Sequence, residues 1–291
     1  MPGRVRGGRG SRTGMQHSKV GTSHIVKSTF EQYSDGKLLY GDDFSAEEIE
    51  EWFRDEAEAY YNLPQEQKLG LYSYHARNWR HGFRYLPSSP FEHVLCIGGA
   101  FGDELEPVLG RCKKVTVLEP AGGFQNPRFE YVTPSPSGHI PFADNSFDLV
   151  TCFGVLHHIP NVSTVIREMA RCTKPSGWQL ICEPRHSMGN WERPRRMLTP
   201  RERGIPDALM RRFILDSGLQ IVRQRKCMFS LTSRIQYLLP KRQFVYNTSW
   251  IAAFDDCICG LPIWSTRYHA TNALQKLRPL AVFFVLQKPV L

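Results

Sequence analysis

The sequence lacks any apolar run approaching the ~18 residues that a membrane span requires. The longest C-terminal run, Leu280–Leu286, is far too short for that purpose. The N-terminus is basic, yet it has no apolar segment of the kind that a secretory signal needs. These absences predict a cytoplasmic protein.

Cysteine motifs are also missing, although the chain has eight cysteines. No two of them form a Cys-x-x-Cys pair, and Cys257 and Cys259 are spaced too closely for a zinc site. Cys96, Cys152 and Cys182 lie inside apolar runs and are interpreted as buried thiols. The pattern indicates a reducing, intracellular environment and predicts no bound metal.

Positive charge is plentiful but unevenly placed within the net charge of +9. Residues 1–19 contain five basic residues and no acidic one, and residues 185–226 contain 11 Lys and Arg against four acidic residues. Such asymmetry suits an anionic partner, such as nucleic acid, phospholipid or a phosphorylated substrate, and it equally suits a solvated surface. Because no RNA-binding motif accompanies the charge, a nucleic-acid partner is not expected.

The N-terminal third of the chain is predicted to be a basic tail followed by a helical cap. Residues 1–29 have almost no apolar periodicity and are predicted to be disordered. Residues 30–90 are predicted to form the cap, because Ser45 and Glu48 make a capping box before a helical repeat of apolar residues. The aromatic-rich segment 65–86 is interpreted as an amphipathic helix packed on the core or, alternatively, as a lid over a ligand.

From residue 91 to residue 291 short apolar strands alternate with helices, which predicts an α/β domain with a doubly wound, mostly parallel seven-stranded sheet. The predicted strands are His93–Ile97, Lys114–Leu118, Arg128–Val132, Phe147–Phe153, Gly177–Cys182, Leu219–Arg223 and Ala281–Leu286. The predicted helices are Asp103–Leu109, Val162–Cys172, Asp207–Ser217 and, inside an insertion at about 228–279, Thr248–Cys257. Only a loop fits between the second and third strands, because Pro120–Pro127 is short and rich in proline and glycine.

Four motifs in this domain indicate a nucleotide-like ligand. The first strand ends in a Gly-rich turn, Gly98–Gly102, which lets a ligand approach the backbone. The turn lacks the Gly-Lys-Ser/Thr of a P-loop, so ATP hydrolysis is not expected. Glu119 ends the second strand, where a carboxylate can accept hydrogen bonds from both ribose hydroxyls. Ile140–Asp148 (IPFADNSFD) precedes the fourth strand, and Leu156–His158 (LHH) follows it.

Together these motifs resemble the class I S-adenosylmethionine-dependent methyltransferases of the type 11 group. That family reads D-x-G-x-G-x-G, then an acid, then L-P-F-x-D-x-S-F-D and L-H-H, and the resemblance covers about Phe91–Pro184. It implies a Rossmann-like fold with S-adenosylmethionine as the cofactor. It also implies a set of residues that contact the cofactor, namely Gly98, Gly99, Ala100, Gly102, Glu119, Ser135, Ile140 and Phe153.

Three positions depart from the family pattern. Cys96 stands where the first motif has Asp, Ala100 replaces the middle glycine, and Ser135 replaces the acid near the adenine. These changes remove polar contacts to the cofactor, and they motivate an alternative in which the chain keeps the fold without the chemistry.

The residues of the transfer site are predicted from their places after the fourth and fifth strands. Transfer to a hydroxyl requires removal of its proton, and His157 and His158 are the best-placed bases, unless they serve in packing. Glu183 and His186 come next, because ligands bind at the carboxyl ends of strands in open α/β sheets. A further set, Arg185, Arg195 and Arg196, is predicted to bind an anionic acceptor, since guanidinium groups pair with carboxylate and phosphate.

The favoured function is O-methylation of a small-molecule or glycan acceptor, because the segment 187–204 is similar to methyltransferases encoded with bacterial surface-glycan genes. An alternative is a lipid-linked or quinone-like acceptor, with peripheral contact between the basic segment and an anionic membrane at the inner face. A non-catalytic module is the third hypothesis, and RNA methylation, supported by charge alone, is the fourth.

Overall fold

A computed structural model describes most of the predicted cap and of the α/β domain. The residues it describes are 29–61, 72–195, 198–236, 239 and 244–290. The predicted basic tail, up to residue 28, lies outside them. No helix within these ranges has the length and apolar character needed to cross a bilayer.

The described elements follow the predicted alternation of strands and helices. The strands are β1 (Phe91–Ile97), β2 (Cys112–Leu118), β3 (Glu130–Val132), β4 (Phe147–Phe153), β5 (Thr173–Pro184), β6 (Gln220–Phe229) and β7 (Pro279–Gln287). The helices are α1 (Thr29–Tyr33), α2 (Ala46–Tyr61), α3 (His75–His81), α4 (Val162–Cys172), α5 (Asp207–Asp216), α6 (Ser230–Ile235) and α7 (Ser249–Cys259). The connection from β2 to β3 contains no helix, as predicted.

The strands form one sheet in the order β3-β2-β1-β4-β5-β7-β6. All neighbours are parallel except β7, which runs antiparallel to both β5 and β6. This confirms the prediction of a mostly parallel, seven-stranded sheet. Ile97 pairs with Leu118 of β2 and with Cys152 of β4, so the carboxyl ends of the three central strands lie side by side.

One face of the sheet is covered by α4 and α5. The buried side chains of α4 recur at the three- and four-residue spacing of a helix face, namely Val162, Val165, Ile166 and Met169. They join one apolar cluster with residues of β1, β4 and β7. Burial of this stripe holds α4 on the sheet.

The other face is covered differently from the prediction. The helix expected over Asp103–Leu109 is wrong, because 3₁₀ turns occupy Asp103–Leu105 and Leu109–Arg111 instead. Pro107 explains the difference, since it lacks the N–H that an α-helix would need to bond back to Asp103. The cap fills the space, and Phe83 packs on this face with β1 and β7.

The sixth strand is longer than predicted. β6 continues from the predicted end at Arg223 to Phe229, and the insertion predicted at about 228–279 lies between β6 and β7. The extension carries Arg225 and Lys226, and β6 is an edge strand of the sheet. Charged residues are favoured on edge strands because they oppose pairing with other chains. They also interrupt the apolar pattern by which a strand is predicted from sequence.

Helix α2 attaches the cap to the end of β4. Its capping box is confirmed: the Ser45 N–H donates to Glu48 Oε2 at 2.8 Å, and the Glu48 N–H donates to Ser45 Oγ at 3.3 Å. Trp52 is fully buried, and its indole N–H donates to the carbonyl oxygen of His158 at 2.8 Å. This contact brings α2 to the segment that follows β4.

Candidate functional site

The carboxyl ends of β1, β2 and β4 open onto a cavity of about 810 Å³. Ligands bind at this edge in open α/β sheets, because the loops that follow the strands converge there. Of the sequence-predicted site residues, the cavity is lined by Gly98, Ala100, Glu119, Ser135, Ile140 and His158. Residues of helix α2 and of the segment 198–202 also line it.

The Gly-rich turn is shaped by close contacts within the protein. At Gly98, where φ is +60°, a Cβ would lie 2.6 Å from the Val155 side chain, and at Gly102 it would lie 2.3 Å from the ring of Phe129. Ala100 also has positive φ, at 46°, which is uncommon for a residue with a side chain. Gly98 and Ala100 line the cavity, whereas Gly99 and Gly102 are not part of its lining.

Glu119 presents a carboxylate to the cavity without a cationic partner among the described residues. Its Oε2 accepts the N–H of Ala100 and its Oε1 accepts the N–H of Ala121, each at 3.1 Å. Burial raises the pKa of Glu119, although the two backbone hydrogen bonds oppose that effect. A carboxylate has about four acceptor positions, so two remain for a ligand.

A polar wall, defined as Glu56, His158, Thr199 and Glu202, lines another part of the same cavity. His158 Nδ1 lies 3.0 Å from Glu56 Oε2, and the Thr199 hydroxyl donates to Glu56 Oε1 at 2.6 Å. The Thr199 N–H donates to Glu202 Oε2 at 3.0 Å. The wall therefore connects α2, the turn after β4 and the segment 198–202.

His157 is buried between two carboxylates. Its Nδ1 lies 2.8 Å from Glu183 Oε2, and its Nε2 lies 3.4 Å from Glu202 Oε1. Burial alone would lower the pKa of His157, but the interactions with Glu183 and Glu202 raise it to about 9. Burial would likewise raise the pKa of Glu202, but His157 and His158 bring it below its ordinary value.

Glu183 and Arg203 hold the turn that carries both histidines. Glu183 Oε1 accepts the N–H groups of Val155 and Leu156, each at 2.9 Å. The guanidinium of Arg203 is fully buried and donates to backbone carbonyls of this turn and of the cap, which belong to Tyr40, Leu156, His157, Ile159 and Pro160. Glu183 is thus a positioning residue rather than part of the cavity lining.

His186 and Phe153 are placed away from the cavity. His186 is buried and its Nε2 lies 3.0 Å from the carbonyl oxygen of Pro279, while burial and the charges of two arginines lower its pKa to about 3. Phe153 packs against Phe83 and Phe283. Both residues therefore occupy packing positions.

The arginines predicted to bind the acceptor have partners within the protein. Arg185 is buried and pairs with Asp207. Arg195 donates to the carbonyl oxygens of Thr199, Pro200 and Glu202 at 2.6–3.1 Å. Arg196 lies outside the described residues.

Sequence reasoning missed Glu56, Thr199 and Glu202, and it missed a carboxyl group beneath the Gly-rich turn. Glu104 is buried, and its Oε1 accepts the Thr151 hydroxyl at 2.7 Å. A Cβ on Gly99 would contact both Cys96 and Glu104 Oε2. A carboxyl group therefore stands beside the turn although position 96 is cysteine, and burial raises its pKa to about 7.

The fold resembles that of a chain in the solved complex between the Haloferax volcanii Trm112 methyltransferase activator and the putative methyltransferase. The likeness has a TM-score of 0.51 at 14% sequence identity and covers 84% of this chain and 98% of that chain. With the sheet order above, it defines a Rossmann-like methyltransferase fold. Residues 95–181 match the family model described as a methyltransferase domain. Over this segment the chain is similar to methyltransferases, in agreement with the resemblance of its motifs to the class I S-adenosylmethionine-dependent group.

Curated relatives match over short segments. An uncharacterized methyltransferase, YcgJ of Bacillus subtilis (strain 168), is 38% identical over 61 residues, which are 21% of this chain and 23% of the relative. The demethylmenaquinone methyltransferase of Bacillus licheniformis is 49% identical over 43 residues, which are 15% of this chain and 18% of the relative. The alignments thus span less than a quarter of these relatives' length.

Proposed function

We propose that the chain binds S-adenosylmethionine in the cavity at the carboxyl ends of β1, β2 and β4 and transfers its methyl group to an acceptor oxygen at the polar wall. The observation that carries this proposal is Glu119, a cavity-lining carboxylate that has no described cation and two acceptor positions to spare. A cavity of about 810 Å³ lies in the upper part of the range of ligand pockets, about 300–1,000 Å³, which leaves room for cofactor and acceptor together.

The residues of the cavity fit this cofactor. Glu119 can accept the ribose hydroxyls, and Leu118 and Ile140 give an apolar lining suited to the adenine. Gly98 and Ala100 keep the wall small where the chain turns into the cavity, as the methionine end of the cofactor requires. Ser135 also lines the cavity, and we propose it as a further contact to the cofactor.

The polar wall supplies the second half of the reaction. When bound, the cofactor offers a methyl group on a positively charged sulfur. The acceptor oxygen would lose its proton to solvent in the cavity and form the new bond to the methyl carbon, while the electron pair of the old bond returns to sulfur. His158 and Glu202 are the wall groups where this oxygen would be held and activated. His157 lies behind them between Glu183 and Glu202, and Glu56 holds the ring of His158.

The charge of the wall bears on the class of acceptor. Glu56 and Glu202 place carboxylates at the cavity, while Arg185 and Arg195 are committed to other partners. An anionic group would be repelled at the wall, so we propose a small-molecule or glycan acceptor that is uncharged at its reacting hydroxyl. Any acidic group of such a glycan would have to lie outside the wall.

The similarity to demethylmenaquinone methyltransferase favours a second candidate, a quinone-like acceptor. The two candidates differ in the bond that is formed. Purified protein would be incubated with methyl-labelled S-adenosylmethionine and either hydroxylated glycans and small phenols or a demethylated quinone in detergent. We expect label in a methoxy group of the first set, identified by mass spectrometry. Label confined to a ring carbon of the quinone would overturn the O-methylation proposal in favour of the second candidate.

A further inference from the structure

His158 and Glu202 of the polar wall form a cluster with the buried His157, and the donor atoms of the three side chains converge. One donor atom from each of His157, His158 and Glu202 lies within 4.8 Å of the other two. His157 and Glu202 are buried, and His158 is partly exposed to the cavity. Two imidazoles and one carboxylate are donors that divalent transition metals accept.

Both imidazoles carry a carboxylate on Nδ1. Glu183 Oε2 lies 2.8 Å from His157 Nδ1, and Glu56 Oε2 lies 3.0 Å from His158 Nδ1. Histidines that ligate metals almost always donate one ring N–H to such a group, which fixes the ring and directs the other nitrogen to the ion. In both residues this arrangement leaves Nε2 as the ligand atom.

The spacing between His157 and Glu202 fits an ion better than a direct bond. The 3.4 Å between His157 Nε2 and Glu202 Oε1 exceeds the roughly 2.7–2.9 Å of a charge-assisted N–H···O bond. Two ligands about 2.0–2.1 Å from a tetrahedral zinc ion stand roughly 3.3–3.4 Å apart, since the angle between them is close to 110°. The ligand atom of His158 lies within 4.8 Å of the other two, so binding of an ion would draw this side chain, which is 36% exposed, closer to them.

We propose that His157, His158 and Glu202 bind one zinc-like divalent ion whose fourth coordination position opens to the cavity. Three protein ligands with an open position are the arrangement of catalytic rather than structural zinc. The role of the ion rests on the proposed function: the acceptor hydroxyl would occupy the open position. There the ion would ease loss of the hydroxyl proton to solvent before the oxygen attacks the methyl carbon.

Binding of the ion is tested without any acceptor. The full chain would be stripped with a chelator and titrated with Zn²⁺ by calorimetry, and Co²⁺ would then report the geometry through its visible absorption. We expect one ion per chain at micromolar affinity or better, with the intense absorption of four-coordinate Co²⁺. A titration without a one-to-one transition, or Co²⁺ with the weak spectrum of the hydrated ion, would overturn the proposal.

Variants locate the ligands. His158→Gln and Glu202→Gln should each weaken Zn²⁺ binding at least tenfold, with melting curves showing that the apo proteins are folded. His139→Gln is the matched control, because His139 forms an exposed pair with Glu168 at 2.7 Å and should leave Zn²⁺ affinity unchanged. Equal affinity in all three variants would refute the assignment of the site.

The same preparations separate this proposal from the proposed function. If stripped protein binds S-adenosylmethionine normally and regains methyl transfer only with the added ion, both proposals are supported. If stripped protein that fails to bind Zn²⁺ still transfers methyl groups, the metal site fails and the proposed function stands. If Zn²⁺ binds but S-adenosylmethionine does not, the metal site stands and the proposed function fails.

Discussion

Replacing Glu119 with glutamine removes the charge at the end of β2 while keeping the shape of the side chain. In the native protein Oε1 and Oε2 each accept one backbone N–H, from Ala121 and Ala100. An amide nitrogen cannot accept a hydrogen bond, so Glu119→Gln leaves one of these N–H groups without its acceptor. It also leaves fewer acceptor positions for the ribose of S-adenosylmethionine.

The expected size of the effect follows from the lost hydrogen bonds. A hydrogen bond to a charged group contributes about 1.5–3 kcal/mol, and two would form between the ribose hydroxyls and Glu119. The remaining amide oxygen and water recover part of that sum, so we expect a loss of about 2–3 kcal/mol in binding free energy. This corresponds to a Kd roughly 30- to 150-fold higher.

Calorimetric titration of the purified full chain with S-adenosylmethionine measures this change. Glu106→Gln is the control, because Glu106 is exposed and does not line the cavity, and its Kd should equal that of the native protein. A melting curve would show that Glu119→Gln is folded. A folded Glu119→Gln protein with native affinity would refute the assignment of the ribose to this carboxylate.

Three further predictions concern stability. Gly102→Ala should destabilise the protein by more than about 2 kcal/mol in urea unfolding, because φ is +72° and a Cβ would meet a phenylalanine ring. Gly110→Ala is the control and should change the stability little, since a Cβ there would meet open space. Equal effects of the two substitutions would contradict the packing argument. Trp52→Phe should cost about 1 kcal/mol and Trp52→Ala about 3–5 kcal/mol, and an unchanged melting temperature in both would show that α2 does not stabilise the fold. Burial lowers the pKa of His81 to about 4, so the stability this neutral ring contributes is present above pH 6.5 and is lost as the pH falls towards 4. Between pH 7 and pH 4.5 the native protein should therefore lose about 2.5 kcal/mol more than His81→Leu, and parallel pH profiles would be the contrary result.

Motifs with a fixed local geometry were predictable from the sequence. The Gly-rich turn, Glu119 and the capping box at Ser45 are each defined by neighbours in the chain, and the structure forms both the turn and the capping box where expected. The sheet was predictable because buried strands are short apolar runs. The helix predicted over Asp103–Leu109 was wrong, although Pro107 within that segment already stands against a continuous α-helix.

The polar wall was not predictable, because it joins residues far apart in the chain. Glu56 is one of several acidic residues on α2, and Glu202 lies in a segment in which arginines outnumber acidic residues. Nothing local distinguishes either residue from a solvated acid. Their positions follow from the docking of α2 on the turn after β4, a long-range contact made by the buried Trp52.

The role of the arginine-rich segment was not predictable from its charge either. Its charge suggested an anionic acceptor, yet Arg185 pairs with Asp207, and Arg195 and Arg203 bond backbone carbonyls. A count of charges does not reveal whether a guanidinium forms its hydrogen bonds inside the protein or faces solvent. In this segment Arg195 and Arg203 hold the backbone of Glu202 and of His157 in place.

The central claim, that the cavity is a site for S-adenosylmethionine, is tested most directly by calorimetry on the purified full chain. Titration with S-adenosylmethionine, and separately with its demethylated product, should each show one site per chain with a micromolar Kd. The thermal unfolding temperature should rise with ligand concentration, because binding to the folded state alone stabilises it. No heat of binding and no thermal shift at millimolar concentrations of either ligand would contradict the account.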